Sequence, residues 1–530
     1  MNLTVVGFHN MYPGIHAEQR ADQPAVVMAG SGEVVTYREY EERSNRMAHL
    51  LRAEGLQRGD HFAIVMENHP WYMPICCAGE RSGLYFTPAN SHLTTDELGY
   101  IFENSESQVV VTSSQLLDVA LSALPLAPNV RLCLVADGTG PYANVGNTRV
   151  LPLEETLAAF PPTPISDESA GNQMLYSSGT TGRPKGILRE LPKAPVGESG
   201  SEFLMNIWLY REGQTYLCPA PLYHSAPQAA AGLTIRKGGT VVVMDKFDPE
   251  HFLQLVEQHR VTHTQMVPTM FSRLLKLPDD VRNTYDLSSL EMVVHAAAPC
   301  PVPVKERMLE WWGPIIREYY SATEGLGLTL CDSAEWLAHR GTVGRCILGE
   351  MHILDDDMNE CPQGQPGTVW FKSPIHYEYF NDPGKTRDSS SPDGGLKTVG
   401  DVGYVDKDGY LFLTDRATFM IISGGVNIYP QETENLFITH PKVADAAVFG
   451  VPNPDLGEEM KAVIQLMPGI EPTADVVNEL MDFCRANLSL QKCPRSIDFE
   501  EQLPRTPTGK LFKKPLRERY WAEHGGSRIV

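Results

Sequence analysis

Short, continuous apolar runs recur along this chain, and between them lie stretches with helical spacing. Phe62-Ala-Ile-Val-Met66, Val109-Val-Val111, Thr240-Val-Val-Val243 and Met292-Val-Val294 are such runs. A strand without in-and-out alternation is one that is buried on both faces. Tyr40, Met47, Leu50 and Leu51 fall on one helical face ahead of the Gly59-Asp60 turn. Phe252, Leu255 and Val256 mark an amphipathic helix between two of the runs. Strands alternating with helices predict layered α/β architecture.

One segment interrupts this pattern with a different chemistry. It reads Met174-Leu-Tyr-Ser-Ser-Gly-Thr-Thr-Gly-Arg-Pro-Lys-Gly-Ile187. An apolar run stops, and the hydroxyls of Ser177, Ser178, Thr180 and Thr181 follow, interleaved with Gly179 and Gly182 and closed by Lys185 and Gly186. Glycines let the backbone turn several N–H groups toward one anion. Hydroxyls add donors of adjustable direction, and a lysine adds a mobile positive charge. The combination suits a polyphosphate. It is not the P-loop, which needs a G-x-x-x-x-G-K-[ST] order.

The length of 530 residues allows several domains and a large core. No run of about 18 apolar residues occurs, so no membrane span is expected. The start of the chain has no basic segment before an apolar core, and the expected location is cytoplasmic. The ten cysteines include no C-x-x-C pair, which argues against a zinc ribbon or a redox dithiol. Cys76 and Cys77 read as buried thiols. A net charge of −22 repels nucleic acid and anionic lipid. Against that background, Arg505 to Arg519 holds six basic residues and one acid, a patch that reads as suited to a phosphate-bearing ligand.

Two loops break the pattern: residues 192–201, which follow the phosphate loop, and residues 384–395, which are polar and read as mobile. Asp406-Lys-Asp-Gly409 signals a hairpin turn. A new α/β pattern starts at Ile421, which puts a domain boundary at Asp415–Arg416.

Further segments follow the phosphate loop in a fixed order: Pro221-Leu-Tyr-His-Ser-Ala-Pro227, His295-Ala-Ala-Ala-Pro299, Tyr319-Tyr-Ser-Ala-Thr-Glu-Gly325, Gly400-Asp401, Thr414-Asp-Arg416, Ser423-Gly-Gly-Val-Asn-Ile-Tyr-Pro430 and Pro504-Arg-Thr-Pro-Thr-Gly-Lys510. Together with the Tyr176–Gly186 loop, this series resembles the adenylate-forming superfamily of acyl-CoA synthetases, peptide-synthetase adenylation domains and beetle luciferases, and is most similar to the acyl-CoA synthetases. The resemblance implies a large N-terminal domain of layered α/β sheets (1–415) and a small mobile C-terminal α+β lid (416–530), with the site between them. It implies that a carboxylate attacks the α-phosphate of Mg-ATP, giving acyl-AMP and pyrophosphate, and that a thiol, commonly that of coenzyme A, then displaces AMP.

The resemblance also assigns residues. Ser177, Ser178, Gly179, Thr180, Thr181, Gly182 and Lys185 would hold phosphates. Tyr319, Tyr320, Ser321, Ala298 and Pro299 would surround adenine. Thr323 would reach the α-phosphate, Glu324 would bind Mg²⁺, Asp401 would accept the ribose hydroxyls, and Arg416 would reach ribose or phosphate. Lys510 would be the catalytic cation, because a fixed positive charge relieves repulsion between carboxylate and polyphosphate. His224 would position the thioester step, Gly424 and Gly425 would form a loop used in that step, and Thr418 occupies the hinge position. His224, Ala226, Ala296, Ala297, Ser321, Gly325, Leu326 and Gly327 would line the acyl pocket.

Three departures stand out. Ser321 replaces a glycine usual in the adenine-side motif, Thr418 and Phe419 replace a more polar hinge, and Lys397-Thr-Val399 puts the segment before Gly400-Asp401 one residue out of step with the commoner Thr-Gly-Asp. The small, uncharged pocket residues favour an apolar fatty or bulky ring acid. An amino-acid activator would be expected to carry an Asp near Tyr223-His224. A carrier protein as acceptor and a luciferase-like oxygenase remain the alternatives. The expected partners are the acid, ATP and CoA, with no nucleic acid; a homodimer is compatible with the reading.

Overall fold

The computed structural model describes residues 12–177, 184–197, 202–416, 421–423, 426–505 and 511–522. The chain divides into two compact units. One comprises Met1–Met266, Leu277–Val294 and His376–Thr386; the other comprises Val267–Lys276, His295–Ile375 and Arg387–Val530.

The first unit contains a six-stranded sheet in the order Arg149–Pro152, Leu132–Ala136, Val109–Ser113, His61–Val65, Tyr85–Ala89, Asn172–Gln173. Every pairing in it is parallel. The strands His61–Val65 and Val109–Ser113 are buried along their whole length, as continuous apolar runs require. Val110, Ala63 and Cys133 pack with Phe102 and Leu98 of the helix Thr95–Asn104. That helix starts at a capping box, in which Thr94 and Glu97 each satisfy the other's backbone N–H. A second set of strands, Thr215–Cys218, Thr240–Val243 and Pro24–Met28, is also parallel. A third, antiparallel sheet joins Leu175–Ser177, Lys185–Arg189 and Tyr377–Tyr379.

The second unit is built mainly from antiparallel pairs. Ile316–Tyr320, Leu328–Cys331 and Arg345–Leu348 form one run. Glu350–Leu354, Gly367–Lys372, Asp401–Val405 and Leu411–Arg416 form another. The Asp406–Gly409 turn joins the last two, with Gly409 at φ 81° where an L side chain would be strained.

From Ile421 on, a small C-terminal domain has its own five-stranded sheet. Its centre is the long hairpin Val443–Asn453 and Gly457–Leu466, with Ser496–Phe499 added in parallel. Phe437 of the helix Gln431–Thr439 and Leu480 of the helix Ala474–Asn487 cover one face. Leu516 of the helix Lys513–Ala522 covers the other. No helix among the described residues is long and apolar enough to cross a membrane.

Two expectations are corrected. The stretch 384–395 is not simply a mobile loop. It opens with the helix Pro383–Asp388, and Ser389 and Ser391 are buried and exchange backbone hydrogen bonds with Thr398 and Leu396. The Arg505–Arg519 patch is not a free basic face. Arg505 pairs with Asp445, Arg519 with Glu500, Lys513 with Glu434 at 2.7 Å, Arg517 with Glu458 at 3.4 Å, and Lys514 with Glu518 at 3.7 Å. Arg517 ties the last helix to the strand Gly457–Leu466 and Lys513 ties it to the helix Gln431–Thr439, while Arg505, ahead of that helix, pairs with the strand Val443–Asn453.

Candidate active site

In the first unit, the phosphate-loop segment is the connection of a hairpin. Ser177 and Lys185 stand directly opposite each other, and Gly186 opposite Tyr176. A Cβ on Gly186 would meet the Tyr176 ring at 3.2 Å, a tight contact that the ring would have to yield to. Tyr176 donates from Oη to Asn104 at 2.7 Å, anchoring the strand before the loop. Lys185 Nζ lies 3.2 Å from Asp382 Oδ2 and 5.9 Å from the centre of the Tyr379 ring. Ser178, Gly179, Thr180, Thr181 and Gly182 lie outside the described residues.

His224 stands immediately before the helix Ser225–Arg236, with extended backbone at φ −89°. Its ring meets Tyr223 edge-on at 4.3 Å, and its backbone N–H donates to Pro221 O at 3.2 Å. His224 and Ala226 are both half-buried.

In the second unit, the structure brings three segments together. Tyr319 and Tyr320 end the strand Ile316–Tyr320. Tyr320 donates from Oη to Asp401 Oδ2 at 2.7 Å. Asp401 is itself the cross-strand partner of Arg416. An ionised carboxylate is acceptor-only, and the tyrosine hydroxyl holds one of its oxygens. Asp401 is 9 % exposed, which leaves it sheltered within hydrogen-bonding reach of its neighbours.

The segment between Ser321 and Gly327 is tied into a closed turn. Ser321 donates from Oγ to Gly327 O at 2.7 Å, and Gly325 N–H donates to Ala322 O at 2.9 Å. Gly325 takes φ 74°. Gly327 sits against the Phe371 ring, where a Cβ has no room. The hydroxyl that replaces the usual glycine hydrogen is therefore used to hold the turn. Thr323 and Glu324 occupy its middle, and Glu324 is buried. Leu326, Gly327 and Ala296 are buried as well, whereas Ala297 and Pro299 are exposed and Ala298 is half-buried. Ala297 has φ 74°, a left-handed conformation that costs a residue with a Cβ about 1 kcal/mol.

Behind this segment lies an ion pair that the sequence reading missed. Lys305, fully buried, meets Glu318 Oε2 at 2.5 Å, and His295 Nε2 lies 3.4 Å from the same oxygen. Neither ring nitrogen of His295 makes an oriented hydrogen bond among the described residues. Burial, helped by the Lys305 charge, holds the imidazole neutral with its pKa well below the ordinary value. Burial pushes the Glu318 carboxyl upward, against the pull of Lys305. Glu318 shares a strand face with Tyr320, and His295 opens the His295–Pro299 segment. In the sequence this strand reads Ile316-Arg-Glu-Tyr-Tyr320, with two adjacent charges and no mark that Glu318 is the buried one.

Lys510, Thr418, Gly424 and Gly425 fall outside the described residues; Arg416 is placed as a strand residue, and nothing further is described of it.

A family model described as "AMP-binding enzyme" matches residues 15–378, and one described as "AMP-binding enzyme C-terminal domain" matches residues 432–510. The chain belongs to the AMP-binding enzyme family. This AMP-binding enzyme is 31 % identical over 508 residues to a feruloyl-CoA synthase from Amycolatopsis sp, covering 94 % of this chain and 97 % of that protein. It is 30 % identical over 521 residues to a medium/long-chain-fatty-acid–CoA/3-oxocholest-4-en-26-oate–CoA ligase of Mycobacterium tuberculosis, covering 93 % of each. Its fold is similar to that of the anthranilate CoA ligase AuaEII in complex with anthranoyl-AMP, with a TM-score of 0.84, 24 % identity and 98 % of both chains covered.

Proposed function

We propose that this AMP-forming acyl-CoA ligase activates an apolar carboxylic acid, either a fatty acid or a bulky ring acid, as its acyl-adenylate and passes the acyl group to coenzyme A. The observation that carries the reading is the Tyr320–Asp401 contact in an AMP-binding enzyme, which joins an aromatic residue to a carboxylate from a distant segment, with Arg416 the strand residue paired with Asp401.

In this reading Tyr320 offers its ring to adenine, with Tyr319, Ser321, Ala298 and Pro299 around it. Asp401 accepts from the ribose hydroxyls, and Arg416 adds positive charge there. Lys185 and the hydroxyls and glycines of 177–182 hold the β- and γ-phosphates. Thr323 donates to the α-phosphate. Glu324, a buried carboxylate, suits Mg²⁺, which prefers one or two carboxylates together with phosphate oxygens; the ion would offset negative charge on the phosphates.

Attack of the acid's carboxylate on the α-phosphorus brings two anions together. Lys510 stabilises the charge that develops as the bond to pyrophosphate breaks. The CoA thiol then attacks the acyl carbon and AMP leaves, with His224 positioning the acyl group and Gly424 and Gly425 lining the thiol's approach. Residues 416–530 act as a lid hinged near Thr418 above a 1–415 body, in a cytoplasmic enzyme. His224, Ala226, Ala296, Ala297, Ser321, Gly325, Leu326 and Gly327 shape the acyl pocket; they carry no carboxylate for a substrate amine. The names of the two relatives, one an aryl-acid enzyme and one a fatty- and steroid-acid enzyme, support a pocket for apolar acids.

The test is pyrophosphate release with fatty, aryl, polycyclic and amino acids, with and without CoA, followed by mass spectrometry of the products. Acyl-CoA from apolar monocarboxylic acids and background from amino acids is the expected result. Aminoacyl-adenylate with no acyl-CoA from any apolar acid would overturn it.

A further inference from the structure

We propose that Asp382 holds the phosphate-loop lysine, Lys185, in a parked position that the ATP phosphates must displace. The proposal rests on the assignment of Lys185 to the phosphates made above.

The two oxygens of Asp382 have separate tasks. Oδ1 accepts from the Lys385 backbone N–H at 2.8 Å, which caps the helix Pro383–Asp388. Thr386 secures the same corner, donating to Asp382 O at 3.0 Å and accepting from Tyr379 N–H at 3.0 Å. The carboxylate is therefore fixed from the backbone side. Oδ2 is left facing Lys185 Nζ at 3.2 Å. The hydrogen bond from the Lys385 backbone N–H, together with the hydrogen bond and charge of Lys185, holds the Asp382 carboxyl below its ordinary pKa. The register brings the partners together: Lys185–Arg189 pairs with Tyr377–Tyr379, and Phe380 N–H donates to Gly186 O at 2.8 Å.

A lysine carries its charge on a flexible stem, whereas this carboxylate is held by a helix cap. A polyphosphate arriving at Lys185 therefore competes with Asp382 for the ammonium and also meets its negative charge. The pair is partly exposed, 21 % for the lysine and 40 % for the aspartate, so the competition is modest and sensitive to salt. Parking keeps an uncompensated ammonium from taking other anions, and it sets ATP affinity below what the lysine alone would give.

Asp382→Asn separates charge from cap, because asparagine caps a helix as well as aspartate does. Asp382→Ser, which also caps, is the second variant in case the first folds poorly. The measurement is calorimetric binding of a non-hydrolysable ATP analogue with Mg²⁺ to the full chain, with no acid or CoA present. Both variants are expected to bind about three- to five-fold tighter at low salt, and the gain is expected to fade at about 0.5 M salt. Lys185→Ala is expected to bind more weakly than the parent. Unchanged or weaker binding by the Asp382 variants, with Lys185→Ala weakened, overturns the parking role and leaves the phosphate assignment standing. Unchanged binding by Lys185→Ala overturns both.

Discussion

Tyr320 and Asp401, 81 positions apart in the sequence, are joined by a hydrogen bond of 2.7 Å from the phenol to the carboxylate. The contact helps to preorganise the Asp401 carboxylate as an acceptor. Tyr320→Phe keeps the ring and removes the donor. A hydrogen bond to a charged group is worth roughly 1.5–3 kcal/mol net, but part of this is recovered by water in a half-buried site. The expected result is a rise of about 3–10-fold in the KM for ATP with kcat little changed, read from initial rates of pyrophosphate release.

Lys510→Ala removes the cation assigned to the adenylation transition state. Adenylate formation is expected to fall by on the order of 10²–10³, because a preorganised charge is lost where negative charge develops. The thioester step, started from synthetic acyl-adenylate, is expected to retain most of its rate. Equal losses in the two half-reactions would show that the lysine serves something other than adenylation.

Glu324→Gln conserves shape and deletes the charge proposed to bind Mg²⁺. A higher Mg²⁺ requirement for pyrophosphate release is expected, with a nearly unchanged thermal melt. A collapsed melting temperature with an unshifted Mg²⁺ titration would make the residue structural.

Lys305→Met leaves the Glu318 carboxylate buried without its counter-charge. Breaking a buried pair in this way costs about 3–5 kcal/mol, whereas replacing both partners with apolar groups is often near neutral. Urea unfolding is expected to show a large loss for Lys305→Met and recovery of most of it in the double variant with Glu318→Met.

His295 supplies a pH dependence. The folded state holds its imidazole neutral, while the unfolded chain protonates it near pH 6.5. Below about pH 6.5 the unfolded state then binds more protons, so the stability present above that pH is lost as pH falls toward the depressed folded value. His61 and His263, each lowered to about 4 by burial, act in the same direction. His295→Gln is expected to flatten the slope of unfolding free energy by up to about 1.4 kcal/mol per pH unit between roughly pH 6 and 5, measured by urea titration at each pH.

The sequence by itself determined the layered α/β class, the buried strands and the order of the site segments. Continuous runs such as Val109–Val111 can only be covered on both sides, and Gly179, Thr180 and Lys185 in that order suit one kind of ligand. What tertiary structure decided was the partner of each charge. The Arg505–Arg519 segment reads as a basic patch in one dimension. In three dimensions Arg505 meets Asp445 and Lys513 meets Glu434, each pair at least 60 positions apart. Asp382-Pro383 carried a legible helix-start signal, aspartate before proline, yet its polar neighbours made the segment read as a loop. Its contact with Lys185 depends on which strands pair and in what register. Local patterns record what a residue prefers around it; the pairing of Lys305 with Glu318 or Tyr320 with Asp401 is fixed only when strands and helices close on one another and bring these distant groups within reach.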